Sequence, residues 1–336
     1  SELYAMACIS SCCIRKKTLT VTNKGMASSE CTNYENWMGS LPENLRNKPL
    51  NELAIPGSHD SSTSSLDPDS DLAPDEPGSV QQIVRMFGKF GRNVMLSWSK
   101  TQDLTFTEQL MAGIRYFDFR VATRKETTDL YLVHGFYAAK VEAGLKEIYR
   151  FLESHPKEVV LLDFNHFYAF TDETHGLCIS LINGILGDKM CPYLDIESLT
   201  LNMMNEKGLQ AVVFYQSNVV QEHPQFWPAC SIQSLWANTF RVDDLIDCLD
   251  KVYNEGRPEG IFYCWQGVLT PDLPYVIMHF TGSVKNNLAM KANPSFCEWL
   301  KGKKVGKRGI NICLTDYVHI ANFVPQIISM NFEENV

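Results

Sequence analysis

The sequence predicts an α/β fold in which helices cover a parallel sheet. Two observations lead to this prediction. Apolar runs of strand length alternate with segments of helical periodicity along most of the 336-residue chain, and this alternation is typical of βαβ units. The number of units favours a barrel over an open sheet. We find no glycine-rich dinucleotide or phosphate-loop motif, no internal repeat, and no interdomain linker after residue 80.

The predicted strands are short and mostly apolar. The run at 159–164 is largely apolar on both faces, which is typical of a parallel strand covered by helices on each side. The predicted strands lie at 53–55, 114–121, 130–133, 159–164, 211–215, 260–264 and 310–314.

The predicted helices are marked by caps and by apolar residues at helical spacing. Thr105 and Glu108 have the spacing of a capping box, which opens a short helix that Gly113 ends. A second helix begins after Lys140 and stops before Pro156. Further helices are predicted near 174–186, around 245–252, within 283–300 and from about 319. In the helix near 174–186, the residues expected to face inward are Leu177, Leu181, Ile182 and Ile185.

Two segments fall outside this pattern. Residues 1–33 lack sustained periodicity and predict a mobile N-terminal tail ahead of a single domain at 34–336. Residues 61–79 are rich in Ser, Asp and Pro and predict a long polar loop. Such a loop inside a domain is uncommon unless it is disordered or serves as a lid, and both alternatives stay open. Glu158 is expected to be a solvated residue at the entry to a strand.

The composition argues against several classes of partner. A net charge of −9 gives the chain no general attraction to nucleic acid or to an anionic membrane. No apolar stretch reaches the roughly 18 residues that a membrane span needs, so we expect no transmembrane segment. Nothing in the sequence indicates an oligomeric state.

The eleven cysteines are scattered, without CxxC pairs or zinc-site spacing. We therefore expect free thiols in a reducing compartment and a cytoplasmic protein. Cys8, Cys12 and Cys13 precede the basic run at 15–17. Cysteines beside such a run are candidates for S-palmitoylation and for peripheral attachment to a membrane. The alternative is a disordered leader with unmodified thiols.

Two histidines that follow predicted strands carry most of the functional information. His59, with Asp60, follows the first strand, and His134 follows the third. The strand between them ends in Asp118 and Arg120. Two imidazoles, a guanidinium and nearby carboxylates are the groups needed to move protons around an anionic phosphorus centre, because histidine titrates near neutral pH.

Later strands are also followed by polar residues. Asn165 and His166 follow the fourth strand, Gln216 follows the fifth, and Asp316 follows the last. The chemistry of α/β barrels collects at the carboxyl ends of the strands, so we expect these residues to meet at one rim.

Each of these residues also has a structural interpretation. A single histidine after a strand is more often a hydrogen-bonded structural residue than a catalytic one. Asp60 would suit the cap of a turn. Asp118 and Arg120 would suit an ordinary buried ion pair.

Three motifs in a fixed order resemble a known family. They are Ile-Pro-Gly-Ser-His-Asp ending at Asp60, Gly-Ile-Arg-Tyr-Phe-Asp-Phe-Arg ending at Arg120, and Val-His-Gly ending at Gly135. Together they resemble the X domain of phosphatidylinositol-specific phospholipases C, and most of all the stand-alone X-domain-containing proteins of animals, over about residues 36–332. The resemblance implies a distorted, incompletely closed (β/α)8 barrel of the TIM type in a single domain.

The resemblance also implies a reaction and a phospholipid substrate at a membrane surface. In that family the inositol 2-hydroxyl attacks phosphorus, diacylglycerol leaves, and a 1,2-cyclic inositol phosphate forms. The family pattern makes His59 the general base, with Asp316 orienting its ring and stabilising its charged form. It makes His134 the general acid, with Asp60 as its carboxylate partner.

The family pattern assigns Arg120 to the non-bridging phosphate oxygens, with Asp118 orienting the guanidinium. Calcium-dependent members carry an acidic ligand at the position of Arg120 and another at that of Phe164. Because a hard cation needs several oxygen ligands, the resemblance implies catalysis without a metal. No cofactor is expected.

The candidates for substrate binding are Asn165, His166, Tyr215 and Gln216. Asn165 and Gln216 stand about where bacterial members carry basic residues, so the headgroup preference stays open.

Four aromatic residues in or near predicted loops are candidates for contact with a membrane: Phe87, Phe90, Trp98 and Trp227. Burial in the core is an equally good interpretation of them. The segment at 87–92, which alternates aromatic and basic residues, is the best candidate.

Three functions remain as hypotheses. The first is a phosphodiesterase acting on phosphatidylinositol or a related phospholipid. The second is a lipid-binding or scaffolding protein that keeps the site but has little activity. The third is a metal-dependent glycerophosphodiesterase on a similar barrel, in which His59, Asp60, Asp118 and His134 imitate a metal cluster.

Overall fold

Seven parallel strands form the centre of the fold in the part of the chain that the structure describes. The computed structural model describes residues 33–75, 77–125 and 127–333. In these residues the strands are β1 Ile55–Ser58, β2 Tyr116–Thr123, β3 Leu130–His134, β4 Phe136–Lys140, β5 Val160–Tyr168, β6 Ala211–Tyr215, β7 Ile232–Leu235, β8 Phe262–Gln266 and β9 Ile312–Thr315. All but β3 and β4 belong to the parallel set.

The parallel strands run in the order β6-β5-β2-β1-β9-β8-β7. Within the described residues no strand pairing joins β6 to β7, so the sheet is an α/β barrel that does not close. This confirms the predicted fold class. β3 and β4 form an antiparallel hairpin, and β3 pairs with the last residues of β2.

The sequence did not predict β4 and β7. β4 follows β3 after Gly135 alone, so no turn signal separates the two strands. β7 has two exposed residues among its four, and it therefore lacks the apolar run that marks the other parallel strands.

The helices pack outside the sheet. They are α1 Glu43–Arg46, α2 Gly78–Met86, α3 Gly88–Ser99, α4 Phe106–Met111, α5 Val141–Ser154, α6 Asp172–Leu186, α7 Leu201–Glu206, α8 Val242–Glu255, α9 Leu273–Met278, α10 Met290–Leu300 and α11 Phe323–Met330. Thr105 and Glu108 form the capping box that the sequence predicts at the start of α4. None of the described helices is long and apolar enough to cross a membrane.

The region before Lys100 is where the structure differs most from the sequence prediction. It contains α2 and α3, which are separated by Phe87, and φ is +55° at Gly88, the first residue of α3. Trp98 on α3 is buried, as is Trp227, so neither is available to a membrane. Phe87 and Phe90 are exposed. The inward orientation predicted for Leu177 is wrong, because its side chain is 44% exposed.

The described part of the polar loop at 61–79 is ordered against the β3–β4 hairpin. The amide of Asp67 donates to the carbonyl of Tyr137 at 2.8 Å, and the amide of Ala73 donates to the carbonyl of Gly135 at 2.9 Å. The Asp75 carboxylate accepts from the amide of Gly135 at 2.8 Å. These bonds tie this part of the loop to the hairpin, and residues 78–79 belong to α2. The tail predicted at 1–33, with the candidate acylation sites Cys8, Cys12 and Cys13, lies outside the described residues except for Asn33.

A buried ion pair holds the N-terminal end of the domain on the barrel. Glu158 is fully buried, which makes the expected solvated position wrong, and its Oε2 lies 2.8 Å from Nη2 of Arg115. The same carboxylate accepts from the amides of Met38 and Gly39. The guanidinium also donates to backbone carbonyls, so the charges of both partners are satisfied.

Removing one partner of this pair should be costly. We expect Glu158→Gln to lower the free energy of unfolding by about 3–5 kcal/mol, because it leaves the Arg115 guanidinium buried without its counter-charge. Urea unfolding measures the change. The matched control Glu43→Gln, at an exposed position, should lie within about 0.5 kcal/mol of the unmodified protein. An equal effect of the two substitutions would contradict the account.

Candidate active site

The polar residues that the sequence places after different strands surround one cavity. It has a volume of about 980 Å³ and lies at the carboxyl ends of β1 and β9, against residues within β2 and β5. The predicted site residues that line it are His59, Asp118, Arg120, His134, Asn165, His166, Gln216 and Asp316. Asp60 lies just beneath them and is buried.

The Asp60 carboxylate is the point at which the charged side chains meet. Its Oδ2 lies 3.4 Å from Nε2 of His59 and 3.2 Å from Nε2 of His134. Its Oδ1 lies 2.6 Å from Nε of Arg120. Burial alone would raise the pKa of this carboxyl, but Arg120 and the two histidines hold the pKa well below its usual range. Asp60 therefore stays ionised and links the two imidazoles to the guanidinium of Arg120.

The backbone at Asp60 is bent to allow these contacts. Its φ is +40°, in the left-handed region that few non-glycine residues adopt. The Asp60 amide donates to Oδ2 of Asp118 at 2.9 Å, which holds the turn in place. Backbone strain of this kind concentrates at functional sites.

His59 is oriented by the carboxylate of Asp316, whose Oδ1 lies 2.7 Å from its Nδ1. Burial by itself lowers the pKa of His59, but Asp60, Asp316 and Asp118 together outweigh it and raise the pKa to about 9. The free protein therefore holds this ring as an imidazolium at neutral pH.

His134 is held by the backbone at the end of α3. Its Nδ1 lies 2.6 Å from the carbonyl oxygen of Ser99, and its Nε2 faces Asp60. Both ring nitrogens thus lie against oxygen atoms, Nδ1 against a backbone carbonyl and Nε2 against a carboxylate. Gly135, with φ +71°, allows the close approach, because a Cβ there would overlap with Oγ of Ser99 and lie 2.9 Å from Met95.

Asp118 does not orient Arg120 as the family pattern implied. The guanidinium pairs with Asp60 instead. The two oxygens of Asp118 accept from the Asp60 amide and, at 2.6 Å, from Nδ2 of Asn165. The difference follows from the bend at Asp60, which turns the Asp60 side chain towards the guanidinium.

Tyr215 does not reach the cavity, which corrects its expected role in substrate binding. Its side chain is fully buried, and its hydroxyl lies 2.8 Å from Nδ1 of His175 on α6. Side chains alternate along a strand, so Tyr215 faces outward while Gln216 lines the cavity. Asn165 and His166 also line it, but they belong to β5 itself.

The sequence analysis missed Asp163 and Tyr116, which also line the cavity. Tyr116 donates from its hydroxyl to Oδ2 of Asp163 at 2.7 Å. Burial raises the pKa of Asp163 to about 6. The available signal was a single acidic residue in an otherwise apolar run, two positions before Asn165 and therefore on the same face of the strand.

Three of these residues offer a possible metal site. His59, Asp60 and Asp118 each present one ligand atom, and these atoms lie within 4.8 Å of one another. The Arg120 guanidinium lies against the same Asp60 carboxylate. A hard cation such as calcium takes about 6–8 oxygen ligands, so His59, Asp60 and Asp118 are a poor set of ligands for it.

Comparison with known proteins identifies the family. The chain is 40% identical to mouse PI-PLC X domain-containing protein 3 over 315 residues, which is 92% of this chain and 98% of the relative. It is 34% identical to human PI-PLC X domain-containing protein 1 over 304 residues, or 88% and 92% of the two chains. The chain belongs to the PI-PLC X domain-containing proteins. No family model matches it.

Solved structures show the fold that these X-domain proteins share with bacterial enzymes. A Staphylococcus aureus phosphatidylinositol-specific phospholipase C variant superposes with a TM-score of 0.64 at 18% identity, covering 90% of this chain and 99% of that one. The enzyme from Listeria monocytogenes gives 0.61 at 17% identity, covering 90% and 100%. The X domain described here is thus a TIM-type barrel.

The protonation of His59 in this X domain provides a direct test of the site. We expect an NMR titration of its ring to have a midpoint near 9, and Asp316→Asn to lower it by removing a carboxylate in contact with Nδ1. The exposed control Asp243→Asn should leave it unchanged. Because the folded pKa is raised, the stabilisation from His59 is present below pH 6.5 and is lost as pH rises through about 9. A midpoint near 6.5 would contradict this assignment.

Proposed function

We propose that this protein is a phospholipase C-type phosphodiesterase that cleaves the glycerol-side P–O bond of phosphatidylinositol-type phospholipids. The observation that carries the proposal is the convergence of His59, His134 and Arg120 on the single Asp60 carboxylate. This arrangement gives one cavity a proton acceptor, a proton donor and a fixed positive charge.

In the proposed reaction, His59 removes the proton of the inositol 2-hydroxyl as its oxygen attacks phosphorus. The bond from phosphorus to the glycerol oxygen breaks, and His134 gives a proton to that oxygen. The products are diacylglycerol and a 1,2-cyclic inositol phosphate. The contact between Asp316 and Nδ1 of His59 supports the first step, because a carboxylate stabilises the imidazolium that forms.

We propose that Arg120 supplies the positive charge for the non-bridging phosphate oxygens, where charge grows in the transition state. Burial alone lowers the pKa of this guanidinium, but Asp60 and Asp118 raise its pKa above the usual range, so it is always charged. Because this cation occupies the position next to Asp60, we propose that the reaction needs no metal ion.

An apolar rim around the cavity mouth supports a membrane surface as the place of action. We use the term apolar rim for the exposed cavity-lining residues Phe87, Phe90, Trp236, Ile277 and Phe280. The rings of Phe90 and Phe280 lie 5.9 Å apart and link α3 to the segment after α9. A contiguous exposed apolar patch at a cavity mouth is typical of proteins that bind an interface.

We also propose a cytoplasmic location, with Cys8, Cys12 and Cys13 as candidate sites of acylation. The described cysteines are free thiols, and Cys178, Cys191 and others among them are buried, which supports a reducing compartment.

Loss of either histidine tests the reaction. We expect His59→Ala and His134→Ala each to lower kcat on phosphatidylinositol vesicles by about 100- to 10,000-fold while the far-UV spectrum is unchanged. In the unmodified protein, kcat/KM should rise with pH through about 9, since His59 acts as a base only after it loses its proton. The matched control is His223→Ala, at a half-buried position outside the cavity, which should retain full activity. Near-normal turnover in either active-site variant would refute these roles.

The apolar rim makes a separate prediction. We expect the double substitution Phe87→Ser with Ile277→Ser to weaken binding to phospholipid vesicles by at least ~10-fold, from the loss of about 1 kcal/mol or more of apolar burial at each position. Activity on a soluble short-chain substrate should change little. The control Leu177→Ser, exposed on α6 outside the cavity, should bind vesicles normally. Unchanged binding by the rim variant would rule out this surface.

A lipid-binding protein with little turnover remains a second candidate function. The raised pKa of His59 favours it, because the ring is in its acidic form at neutral pH. Tight binding to phosphatidylinositol vesicles without hydrolysis at any pH up to about 9 would support this function over the first.

A further inference from the structure

Asp163 lies at the bottom of the cavity and has no role in the chemistry proposed above. It is on β5, its backbone is in register with Asp118 on the neighbouring strand, and its side chain is buried. It is also one of the residues that line the cavity. In the proposed reaction, a carboxylate in this position would face the headgroup that is attached to the reacting phosphate.

The contacts of Asp163 fix the orientation of a neighbouring amide. Nε2 of Gln216 lies 2.8 and 3.1 Å from the two carboxylate oxygens. An ionised carboxylate only accepts hydrogen bonds, so the amide nitrogen of Gln216 must face it. The carbonyl oxygen of Gln216 is therefore the atom left to contact a ligand, and that atom is an acceptor.

The side-chain amide of Asn165 is also held in one orientation by its hydrogen bonds. Nδ2 of Asn165 donates to Asp118 at 2.6 Å and lies 3.4 Å from Asp163, while its carbonyl oxygen lies 2.7 Å from Nδ1 of His166. Both amides near Asp163 thus have their donors occupied. This side of the cavity presents oxygen acceptors and a negative charge.

The opposite wall adds no positive charge. Ser234 and Gln266 line it, and Nε2 of Gln266 donates to the Ser234 hydroxyl at 2.7 Å. Among the described residues that line the cavity, Arg120 is the only lysine or arginine, and it is paired with Asp60. Apart from Arg120 and the histidines near Asp60, these residues offer a second phosphate no lysine or arginine.

We infer that Asp163 is a specificity-determining residue that binds hydroxyl groups of an unphosphorylated polyol ring and rejects rings that carry further phosphates. The inference rests on the proposed function and names the headgroup class for the same site. Ring hydroxyls donate to the acceptors that Asp163 and Gln216 present. A phosphate monoester carries about −1.5 to −2 charges and would be repelled by the buried carboxylate. Burial already raises the pKa of Asp163, which shows that negative charge is disfavoured in this position.

The test compares two lipids and one matched pair of variants. We expect the unmodified protein to hydrolyse phosphatidylinositol in phosphatidylcholine vesicles at least ~10-fold faster than phosphatidylinositol 4-phosphate. Asp163→Asn removes the charge with little change of shape and should reduce this ratio at least ~3-fold. The control Asp250→Asn makes the same chemical change on α8, outside the cavity, and should leave the ratio unchanged. Thermal melting establishes that each variant is folded.

Equal or faster hydrolysis of the phosphorylated lipid, or an unchanged ratio in folded Asp163→Asn, would overturn the inference. If neither lipid is hydrolysed, the proposed function fails and the subsite is tested by binding alone. Calorimetric titration with inositol 1-phosphate and inositol 1,4-bisphosphate then tests whether the subsite discriminates against a second phosphate. Tighter binding of the monophosphate, with the difference reduced in Asp163→Asn, supports the subsite. Equal binding, or tighter binding of the bisphosphate, overturns it.

Discussion

The Asp60 carboxylate is the interaction on which the arrangement of the site depends. Two imidazoles and a guanidinium approach it from different strands, and among the described residues it is the one carboxylate that all three of them contact. Truncating one member of such a buried network lowers the free energy of unfolding by more than the contribution of a single hydrogen bond, because the remaining charges are left unpaired.

The scaffold around this carboxylate links the chemistry to the cavity mouth. Helix α3 carries Phe90 of the apolar rim and ends at Ser99, whose carbonyl oxygen contacts His134. The same helix thus carries a residue of the rim and positions the general acid of the proposed reaction. Gly135 allows the helix to approach, and the ordered loop beside it holds the hairpin that carries His134.

Much of the fold could be predicted from the sequence, because strands that are buried on both faces appear as apolar runs. The run that became β5 and the capping box at Thr105 are examples. α2 and α3 were missed, because both are short and Gly88 and Gly91 lie in the first turn of α3. The pairing of Arg115 with Glu158 joins residues 43 apart, and no local pattern reports such a contact.

The candidate site, like the fold, could be predicted from the sequence only in part. The position of each polar residue after a strand predicted the shared cavity, but the partner of Arg120 depends on the backbone bend at Asp60, which no motif encodes. Asp163 was overlooked because a single acid in an apolar strand resembles a structural residue. Its contacts with Tyr116 and Gln216 become visible only when three strands are brought together.

The most direct test of the central claim is phosphorus NMR of the product released from phosphatidylinositol vesicles, with and without a chelator. If a guanidinium does the work of a metal between two imidazoles, the first product is a five-membered cyclic phosphodiester, and its rate of formation is the same in both samples. An acyclic first product, or activity lost with the chelator and restored by a divalent cation, would contradict the account.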